Sequence, residues 1–195
     1  EIEKFLRRYQ KLGADSWSRD ANIVDLFCGR GNSLVALSQL GFTRLEGVDL
    51  SPDLLEEYRG PVQTYVGDCR DLHFEDTSKD VVVIQGGLHH MPAFPEDVDA
   101  VLKEVCRVLR PDGRFVLVEP WLTPFLRIVH AACATRPLRI VWRKLDAVAR
   151  MNEQEWTTYH RWLSRPSDVL DALQRHFKTH EQHIGWGKLL FVGGK

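Results

Sequence analysis

The sequence lacks the cysteine pattern of a disulfide scaffold or a zinc site. Its four cysteines, Cys28, Cys69, Cys106 and Cys133, stand far apart, and no two of them form a C-x-x-C pair. Three of them fall inside predicted helices or strands, which favours reduced thiols packed in a core. We therefore predict a reducing environment and a cytoplasmic location.

The sequence also lacks a hydrophobic run of the roughly 20 residues that span a bilayer, and no signal peptide opens the chain. Opposite charges nearly balance, with 26 Lys and Arg against 27 Asp and Glu, so no overall positive field points to nucleic acid. The 195 residues, 44% of them apolar, are enough for a sizeable core. We predict one domain over residues 1–195 without a transmembrane segment.

The most informative stretch is I-V-D-L-F-C-G-R-G-N-S at residues 23–33. An apolar, β-type run passes through two glycines into a helical pattern, which predicts a strand, a tight turn and a helix. Gly29 and Gly31 let a ligand approach the backbone closely, and the following helix offers unpaired N–H groups to a polar or anionic group. A dinucleotide fingerprint would need a third glycine at position 34, and Leu34 stands there, which disfavours NAD or FAD.

Strands and helices alternate along the chain. Hydrophobic periodicity predicts helices at residues 1–12, 33–40, 52–58, 95–109 and 166–177. It predicts strands at 23–27, 45–48, 62–66, 80–84, 114–119, 180–184 and 189–192. Such alternation predicts an α/β fold with a doubly wound, mostly parallel seven-stranded sheet, and ligands at the carboxyl ends of its strands.

The alternation breaks at residues 121–165, which we call the cap segment and predict to be a helical insertion after the fifth strand. It holds four of the six tryptophans and eight basic residues against three acidic ones. A solvated basic surface is one interpretation. Its place beside the expected ligand site favours a cap over a substrate, with the tryptophans lining a pocket. We expect at least one arginine to point into that pocket, from the set Arg127, Arg139, Arg143 and Arg161.

The order of acidic and glycine residues resembles that of class I S-adenosylmethionine (SAM) methyltransferases. Asp25 precedes the glycine turn and Asp49 ends the second predicted strand. The run L-R-P-D-G-R-F-V-L-V-E at residues 109–119 is similar to the same region of the small-molecule, ubiquinone-biosynthesis-like group. The family pattern runs Asp-x-Gly-x-Gly-x-Gly, and Phe27 takes the place of its first glycine. The resemblance covers residues 23–120, returns in the closing hairpin, and implies a Rossmann-like methyltransferase fold.

The resemblance also implies how the cofactor SAM, with its product S-adenosylhomocysteine, would be bound. Gly29 and Gly31 would let the methionine end pass close to the backbone, and Asp25 would orient its ammonium group. Capping of the turn is the alternative role for Asp25. Asp49 would accept hydrogen bonds from both ribose hydroxyls, because one carboxylate can accept two bonds at once.

The adenine ring has its own implied contacts. Leu50 would lie against the ring, Asp68 would accept from its amino group, and Cys69 would offer a backbone N–H. In the family a leading helix often closes over the cofactor, which would make Tyr9 and Trp17 lid residues. The implied cofactor-binding set is completed by Phe27 and Gln85.

The run L-H-H-M-P at residues 88–92 follows the fourth predicted strand, next to where the family holds the methyl group. His89 or His90 would act as a general base, because an imidazole titrates near neutral pH. A role in holding the loop is the alternative, and Glu119 is a second candidate base. No third ligand stands at a suitable spacing, which disfavours a metal site.

These features predict an enzyme that methylates oxygen, nitrogen or carbon of a small, acidic or partly apolar molecule. Two alternatives stay open. The motif D-L-F-C-G-x-G-N also resembles that of RNA uracil-C5 methyltransferases, and a basic segment suits phosphates, although the loop after the fourth strand lacks their Pro-Pro or nucleophilic cysteine. A non-catalytic SAM-binding module would bind the cofactor without turnover. The sequence specifies neither the acceptor nor the oligomeric state.

Overall fold

The computed structural model describes residues 1–135, 139–140, 142–154 and 156–195. Its strands β1 to β7 span Ile23–Leu26, Leu45–Asp49, Gln63–Val66, Lys79–Gln85, Leu109–Pro120, Lys178–Gly185 and Lys188–Gly194. They form one sheet in the order β3-β2-β1-β4-β5-β7-β6. Strands β1 to β5 run parallel, and β7 lies antiparallel between β5 and β6. The predicted doubly wound, mostly parallel, seven-stranded sheet is confirmed.

The described helices α1 to α8 span Ile2–Lys11, Asn32–Gln39, Pro52–Glu57, Glu96–Val108, Pro124–Cys133, Arg143–Gln154, Trp156–Ser164 and Pro166–His176. Short 3₁₀ turns lie at Ala14–Ser16 and Leu88–His90. Helices α5, α6 and α7 occupy the cap segment, as its periodicity predicts. Within the described ranges, no helix combines the length and apolar character needed to cross a membrane.

The central strands β1 and β4 are buried on both faces, because helices cover each side of the sheet there. Alternation along β1 sends Val24 and Leu26 into a core shared with α4, α7 and α8, and sends Ile23 into a second core shared with α1 and α2. Strands covered in this way are typical of parallel sheets. The carboxyl ends of β1, β2 and β4 therefore meet at one edge, and their last side chains are held by packing on both sides.

Strand β5 begins earlier than its apolar run predicts. Lys79 pairs with Leu109, the register then shifts, and Val81 pairs with Arg114. The expected turn at residues 110–113 is therefore an irregularity within the strand. A Cβ at Gly113 would lie 2.8 Å from the Leu109 side chain, so glycine lets the chain fold back closely at this point.

Candidate active site

The predicted cofactor residues gather at the carboxyl ends of the four neighbouring strands β3, β2, β1 and β4. Leu26, the last residue of β1, pairs with Val48 of β2 on one side and with Ile84 of β4 on the other. Asp49 and Gln85 follow those partners, so they lie on either side of the turn that leaves β1. The strand register alone thus brings together residues far apart in sequence.

Asp49 joins the turn after β1 to the start of α3. Its Oδ2 accepts a hydrogen bond from the Gly29 N–H at 2.7 Å, and its Oδ1 accepts one from the Ser51 N–H at 2.9 Å. Gly29 adopts a φ of 51°, in the left-handed region that favours glycine. Each carboxylate oxygen can accept a further hydrogen bond. The Asp49 side chain can therefore hold two ligand hydroxyls while it holds the turn.

Gly31 allows a close contact with the Tyr58 ring, which the sequence did not suggest. Its φ is 71°, and a Cβ there would lie 2.2 Å from the Tyr58 ring. A Cβ at Gly60 would meet the same ring, 2.1 Å from the hydroxyl. Tyr58 thus lies across both glycines and fixes the end of α3 to the turn. The close approach at Gly31 is made by a side chain of this chain.

Phe27, at the position of the family's first glycine, keeps the backbone conformation that glycine would have. Its φ is 58°, a region that costs a side-chain-bearing residue about 1–2 kcal/mol. Its ring packs on the core and lies so close to Gly87 that a Cβ there would be 2.3 Å from the ring. Apolar packing thus offsets the backbone cost, and the turn after β1 is fastened to the loop after β4.

Asp25 is buried at the cofactor edge with an unsatisfied carboxyl oxygen. The side chain is only 2% exposed, and its Oδ2 has no hydrogen-bond partner among the described residues. Burial raises the pKa of Asp25 to about 7, although a hydrogen bond from Ser33 works against that shift. The Ser33 hydroxyl in turn contacts the hydroxyl of the fully buried Tyr9 on α1. A buried, unpaired carboxyl oxygen is costly, which indicates a cationic partner.

Gln85 presents the complementary group beside it. The Arg8 guanidinium donates to Oε1 of Gln85, and Nε2 of Gln85 has no partner within the described part of the chain. Burial lowers the pKa of Arg8. The unsatisfied acceptor of Asp25 and the donors of Gln85 and Arg8 suit the ammonium and carboxylate of an amino acid. The methionine end of SAM fits this polar set.

The residues predicted to contact the adenine differ in their exposure and in their partners. Leu50 is 64% exposed, so a large apolar side chain lies open directly after Asp49. The Asp68 carboxylate is held by Arg70 at 2.6 Å, and this hydrogen bond lowers the pKa of Asp68. Cys69 is buried, and burial raises the pKa of its thiol to about 12. The Asp68 carboxylate is therefore already paired with Arg70 before any ligand binds.

Glu119 holds the loop after β4 from beneath. This fully buried carboxylate accepts hydrogen bonds from the N–H groups of Gly87 and Leu88, both at 2.8 Å. Its second oxygen lies 2.7 Å from Nδ1 of His89. In a neutral ring, Nδ1–H donates a hydrogen bond to this carboxylate, which leaves Nε2 as the basic nitrogen. The candidate bases Glu119 and His89 thus form one hydrogen-bonded pair.

The two histidines differ in their surroundings. His89 is buried, whereas His90 is exposed and stacks on it with 4.0 Å between ring centroids. The Tyr159 ring of α7 approaches the edge of His89 at 5.8 Å. His89 combines a carboxylate partner with contact to the cap segment. Among the described residues, no group of three His, Cys, Asp or Glu side chains is arranged to hold a metal ion.

The predicted arrangement of the tryptophans is wrong for most of them. Trp121 and Trp162 belong to the buried core, and Nε1 of Trp162 donates to the Pro120 carbonyl at 2.8 Å. Trp142 is 61% exposed and lies on the surface. Trp156 does line a cavity within the cap segment. Helical periodicity shows that such residues share a face, but it does not distinguish a core from a pocket.

That cavity has a volume of about 420 Å³ and lies among α5, α6 and α7. Leu163, Cys133 and His130 contribute to a largely apolar lining. Tyr159 also lines it, and its hydroxyl lies 3.3 Å from Nε2 of His130. Burial lowers the pKa of His130, which favours its neutral form. Because Tyr159 also contacts His89, the cavity and the Glu119–His89 pair share a wall.

Two arginines of the cap segment share one carboxylate. Arg139 and Arg150 both bind Asp146, at 2.9 and 2.8 Å. Arg161 donates to the Pro92 carbonyl. Arg127 is exposed on α5, and the Arg143 side chain lies outside the described residues. No arginine in the described ranges lines the cavity, so the structure does not support the expected arginine in the pocket.

Comparison with known proteins agrees with this geometry. A family profile for a methyltransferase domain matches residues 24–117. Curated demethylmenaquinone methyltransferases are 36% identical over 107 residues in Lactobacillus johnsonii and 38% identical over 104 residues in Staphylococcus aureus. Each match spans 49% of this chain and 42% of the relative. By these matches, residues 24–117 are similar to a methyltransferase domain.

Solved structures share the fold of this chain. The PH0226 protein of Pyrococcus horikoshii superposes with a TM-score of 0.72 at 21% identity, covering 98% of this chain and 90% of the other. A geranyl diphosphate methyltransferase in complex with SAM gives a TM-score of 0.66 at 17% identity, covering 99% and 83%. The predicted Rossmann-like fold is confirmed, and SAM is the cofactor of the family. The chain spans less than half the length of the curated relatives it matches.

Three residues of this candidate site were not found from the sequence. Ser33 lies two positions after Gly31, and Arg8 precedes the predicted lid residue Tyr9, so both stood beside recognised positions. Tyr159 gave no such signal. It meets His89 only because α7 packs on the 3₁₀ turn at Leu88–His90.

Proposed function

We propose that this chain transfers the methyl group of SAM to a small-molecule acceptor held between His89 and the cap cavity. The observation that carries the proposal is the Glu119–His89 pair, at the edge where the cofactor residues gather. A buried carboxylate behind an imidazole suits a general base. The curated relatives, which are small-molecule methyltransferases by name, support the same reaction class.

The chain's own residues would hold the cofactor along the strand ends. Asp25 would bind the ammonium group, and Gln85 with Arg8 would bind the carboxylate. Asp49 would accept the ribose hydroxyls, and the exposed Leu50 would cover one face of the adenine. When bound, SAM supplies an electrophilic methyl group on a sulfonium. The remaining task of the protein is to position the acceptor and to exclude water.

His89 would remove a proton from the acceptor as its oxygen, nitrogen or carbon forms the new bond to the methyl carbon, while the bond from that carbon to the sulfonium sulfur breaks and leaves S-adenosylhomocysteine. Nε2 would take this proton, and the positive charge that develops on the ring would face the Glu119 carboxylate 2.7 Å away. Glu119 would also keep the ring in the correct tautomer, because it holds Nδ1–H. Glu119 is therefore a positioning residue, and His89 the catalytic one.

The cap cavity supports a partly apolar acceptor. Its 420 Å³ is within the range of small-ligand sites, and its polar groups are few, chiefly His130 and the Tyr159 hydroxyl. The paired arginines Arg139 and Arg150 weaken the case for an anionic or nucleic-acid substrate. Demethylmenaquinone, named for the curated relatives, is the first acceptor to test.

Filling the cavity tests the proposal. Ala149 is buried and lines it, whereas Ala147 on the same helix is exposed. Ala149→Phe should keep SAM affinity within a few-fold and slow methyl transfer by about 100-fold or more, because the acceptor loses its place. Ala147→Phe should match the parent. Calorimetry with SAM and transfer of labelled methyl to demethylmenaquinone measure the two effects.

Two results would contradict the proposal. Undiminished transfer by Ala149→Phe would exclude the cavity as the acceptor site. A parent chain that binds SAM and methylates no compound in a panel of phenols, amines and quinols would favour a non-catalytic SAM-binding module.

A further inference from the structure

A second cavity, of about 510 Å³, lies on the other face of the sheet, between α1 and the β6–β7 hairpin. Leu12, Leu190 and Val192 give it an apolar floor. Basic side chains line it from both sides, namely Lys4, Arg7, Arg8, Lys11 and Lys188. We call this feature the basic groove. The proposed reaction uses only Arg8 of this set.

The positive charge of the groove is only partly neutralised. Lys4 pairs with Glu1 at 3.3 Å, Arg7 pairs with Glu3, and Glu181 lines the groove. Five basic residues against these three acidic ones leave a surplus of two. Within the described part of the chain, Lys11 and Lys188 have no carboxylate at salt-bridge distance.

Lys188 is a partly buried cation in this groove, with Glu119 and Glu1 as the acidic groups that act on it. Burial, together with the neighbouring Arg8 and Lys4, lowers the pKa of Lys188 to about 8. A negatively charged partner in the groove would remove this repulsion and favour the charged lysine. The groove is therefore suited to an anionic surface.

Large apolar side chains stand exposed at one end of the groove. Trp186, at the tip of the β6–β7 hairpin, is 79% exposed and has a φ of 51°. The Phe125 ring of α5 meets it edge to face at 5.2 Å, and Ile128, one turn further along α5, is 69% exposed. Exposure and a left-handed backbone are both unfavourable for tryptophan. A tryptophan that is retained in spite of both costs indicates a function other than stabilising the fold.

We propose that the basic groove and this apolar tip dock the protein on an anionic lipid bilayer. Trp186, Phe125 and Ile128 would enter the boundary between headgroups and acyl chains, and Lys4 and Lys11 would contact lipid phosphates. Tryptophan is favoured at that boundary, because its ring is apolar and its N–H can stay hydrated. Cations next to exposed apolar groups are typical of surfaces that lie on anionic membranes. A second protein would cover the apolar tip equally well, but the surplus positive charge of the groove and the exposed Lys11 favour lipid phosphates.

Vesicle co-sedimentation tests the proposal with the full chain. The protein should bind vesicles of phosphatidylcholine mixed with phosphatidylglycerol, and bind vesicles of phosphatidylcholine alone much less. Lys11→Glu should weaken binding to anionic vesicles at least about fivefold, and added salt should weaken it further. Trp186→Ser should weaken it about tenfold through lost apolar burial. Arg44→Glu, an exposed charge change before β2, is the matched control and should bind as the parent does.

Calorimetry with SAM separates docking from folding, since Lys11 and Trp186 take no part in the proposed cofactor site. Both variants should bind SAM as the parent does. Equal sedimentation with neutral and anionic vesicles would overturn the proposal, as would full vesicle binding by Trp186→Ser. Self-association that Trp186→Ser abolishes, in a protein that ignores vesicles, would also overturn it and assign the surface to a second copy of the chain.

Discussion

Nδ1 of His89 lies 2.7 Å from Oε2 of Glu119, and the other oxygen of that carboxylate holds the loop that carries the histidine. One buried side chain therefore sets both the position of the loop and the tautomer of the ring. The substitution Glu119→Gln, which replaces this carboxylate by an amide, therefore distinguishes a catalytic loop from a loop with a structural role only.

Glu119→Gln should disable the proposed base while it keeps the loop in place. The amide oxygen can still accept from Gly87 and Leu88, but the amide N–H₂ would face Nδ1 of His89. The ring should then carry its proton on Nε2, and methyl transfer should slow by about 100-fold or more. Nitrogen NMR of the His89 ring should show the proton moving between the two nitrogens. SAM affinity should stay within a few-fold.

A control separates this effect from general damage. Glu104 also accepts a backbone N–H, from Leu72 at 2.8 Å, and binds Arg107 away from the strand ends. Glu104→Gln should lower stability without changing the His89 tautomer. If Glu119→Gln transferred methyl groups as fast as the parent, His89 would not be a base held by Glu119.

SAM affinity should depend on pH through Asp25. With its pKa raised to about 7, this carboxyl is protonated in the cofactor-free protein at lower pH, and the ammonium group of SAM requires the carboxylate. Binding should therefore release a proton, and affinity should fall by up to about tenfold for each pH unit below 7 and level off above it. Calorimetric titrations between about pH 5 and pH 8 would follow this change.

Asp25→Asn should remove this pH dependence and weaken binding at pH 8, whereas the exposed Asp20→Asn should change neither. The same raised pKa affects stability in the absence of SAM. The folded protein holds the Asp25 proton up to about pH 7, so the stability that this proton provides is lost as pH rises through that value. An affinity for SAM that rose as the pH fell would contradict the assignment of Asp25.

Phe27 and Gly87 should be energetically coupled, because a Cβ at Gly87 would lie 2.3 Å from the Phe27 ring. Gly87→Ala should destabilise the protein by about 1–3 kcal/mol, since the ring must move. Phe27→Gly removes the left-handed strain of Phe27 together with its packing. In the double variant the alanine meets no ring. The double variant should therefore lose less stability than the sum of the two single-variant losses, by about 1 kcal/mol or more. Denaturant unfolding of all four proteins measures this, and additive losses would contradict the contact.

The fold could be predicted from the sequence nearly element by element. Between residues 23 and 120, apolar runs of strand length alternate with segments of helical periodicity, and Gly or Pro ends them. This pattern left few alternative assignments of helices and strands. The start of β5 was placed too late, because the irregularity at residues 110–113 has the composition of a turn and yet stays in the sheet. Local sequence cannot show that Lys79 pairs with Leu109.

The candidate site could be predicted only in part. Asp25 and Asp49 lie near the carboxyl ends of adjacent strands, so the topology alone brings them together. The choice between His89 and His90 required the position of Glu119, which lies 30 residues further along the chain. The tryptophans of the cap segment were misplaced, because an apolar helical face packs equally well on a core or around a cavity.

The most direct test of the central claim is a calorimetric titration of SAM into the parent, Asp49→Asn and Asp53→Asn. Asp49 would accept the ribose hydroxyls and already holds Gly29 and Ser51, whereas Asp53 is exposed on the first turn of α3. The account predicts one SAM bound per parent chain, the same affinity in Asp53→Asn, and a loss of about 10- to 100-fold in Asp49→Asn. An Asp49→Asn variant that bound SAM as tightly as the parent, or a parent that bound NAD in its place, would contradict it.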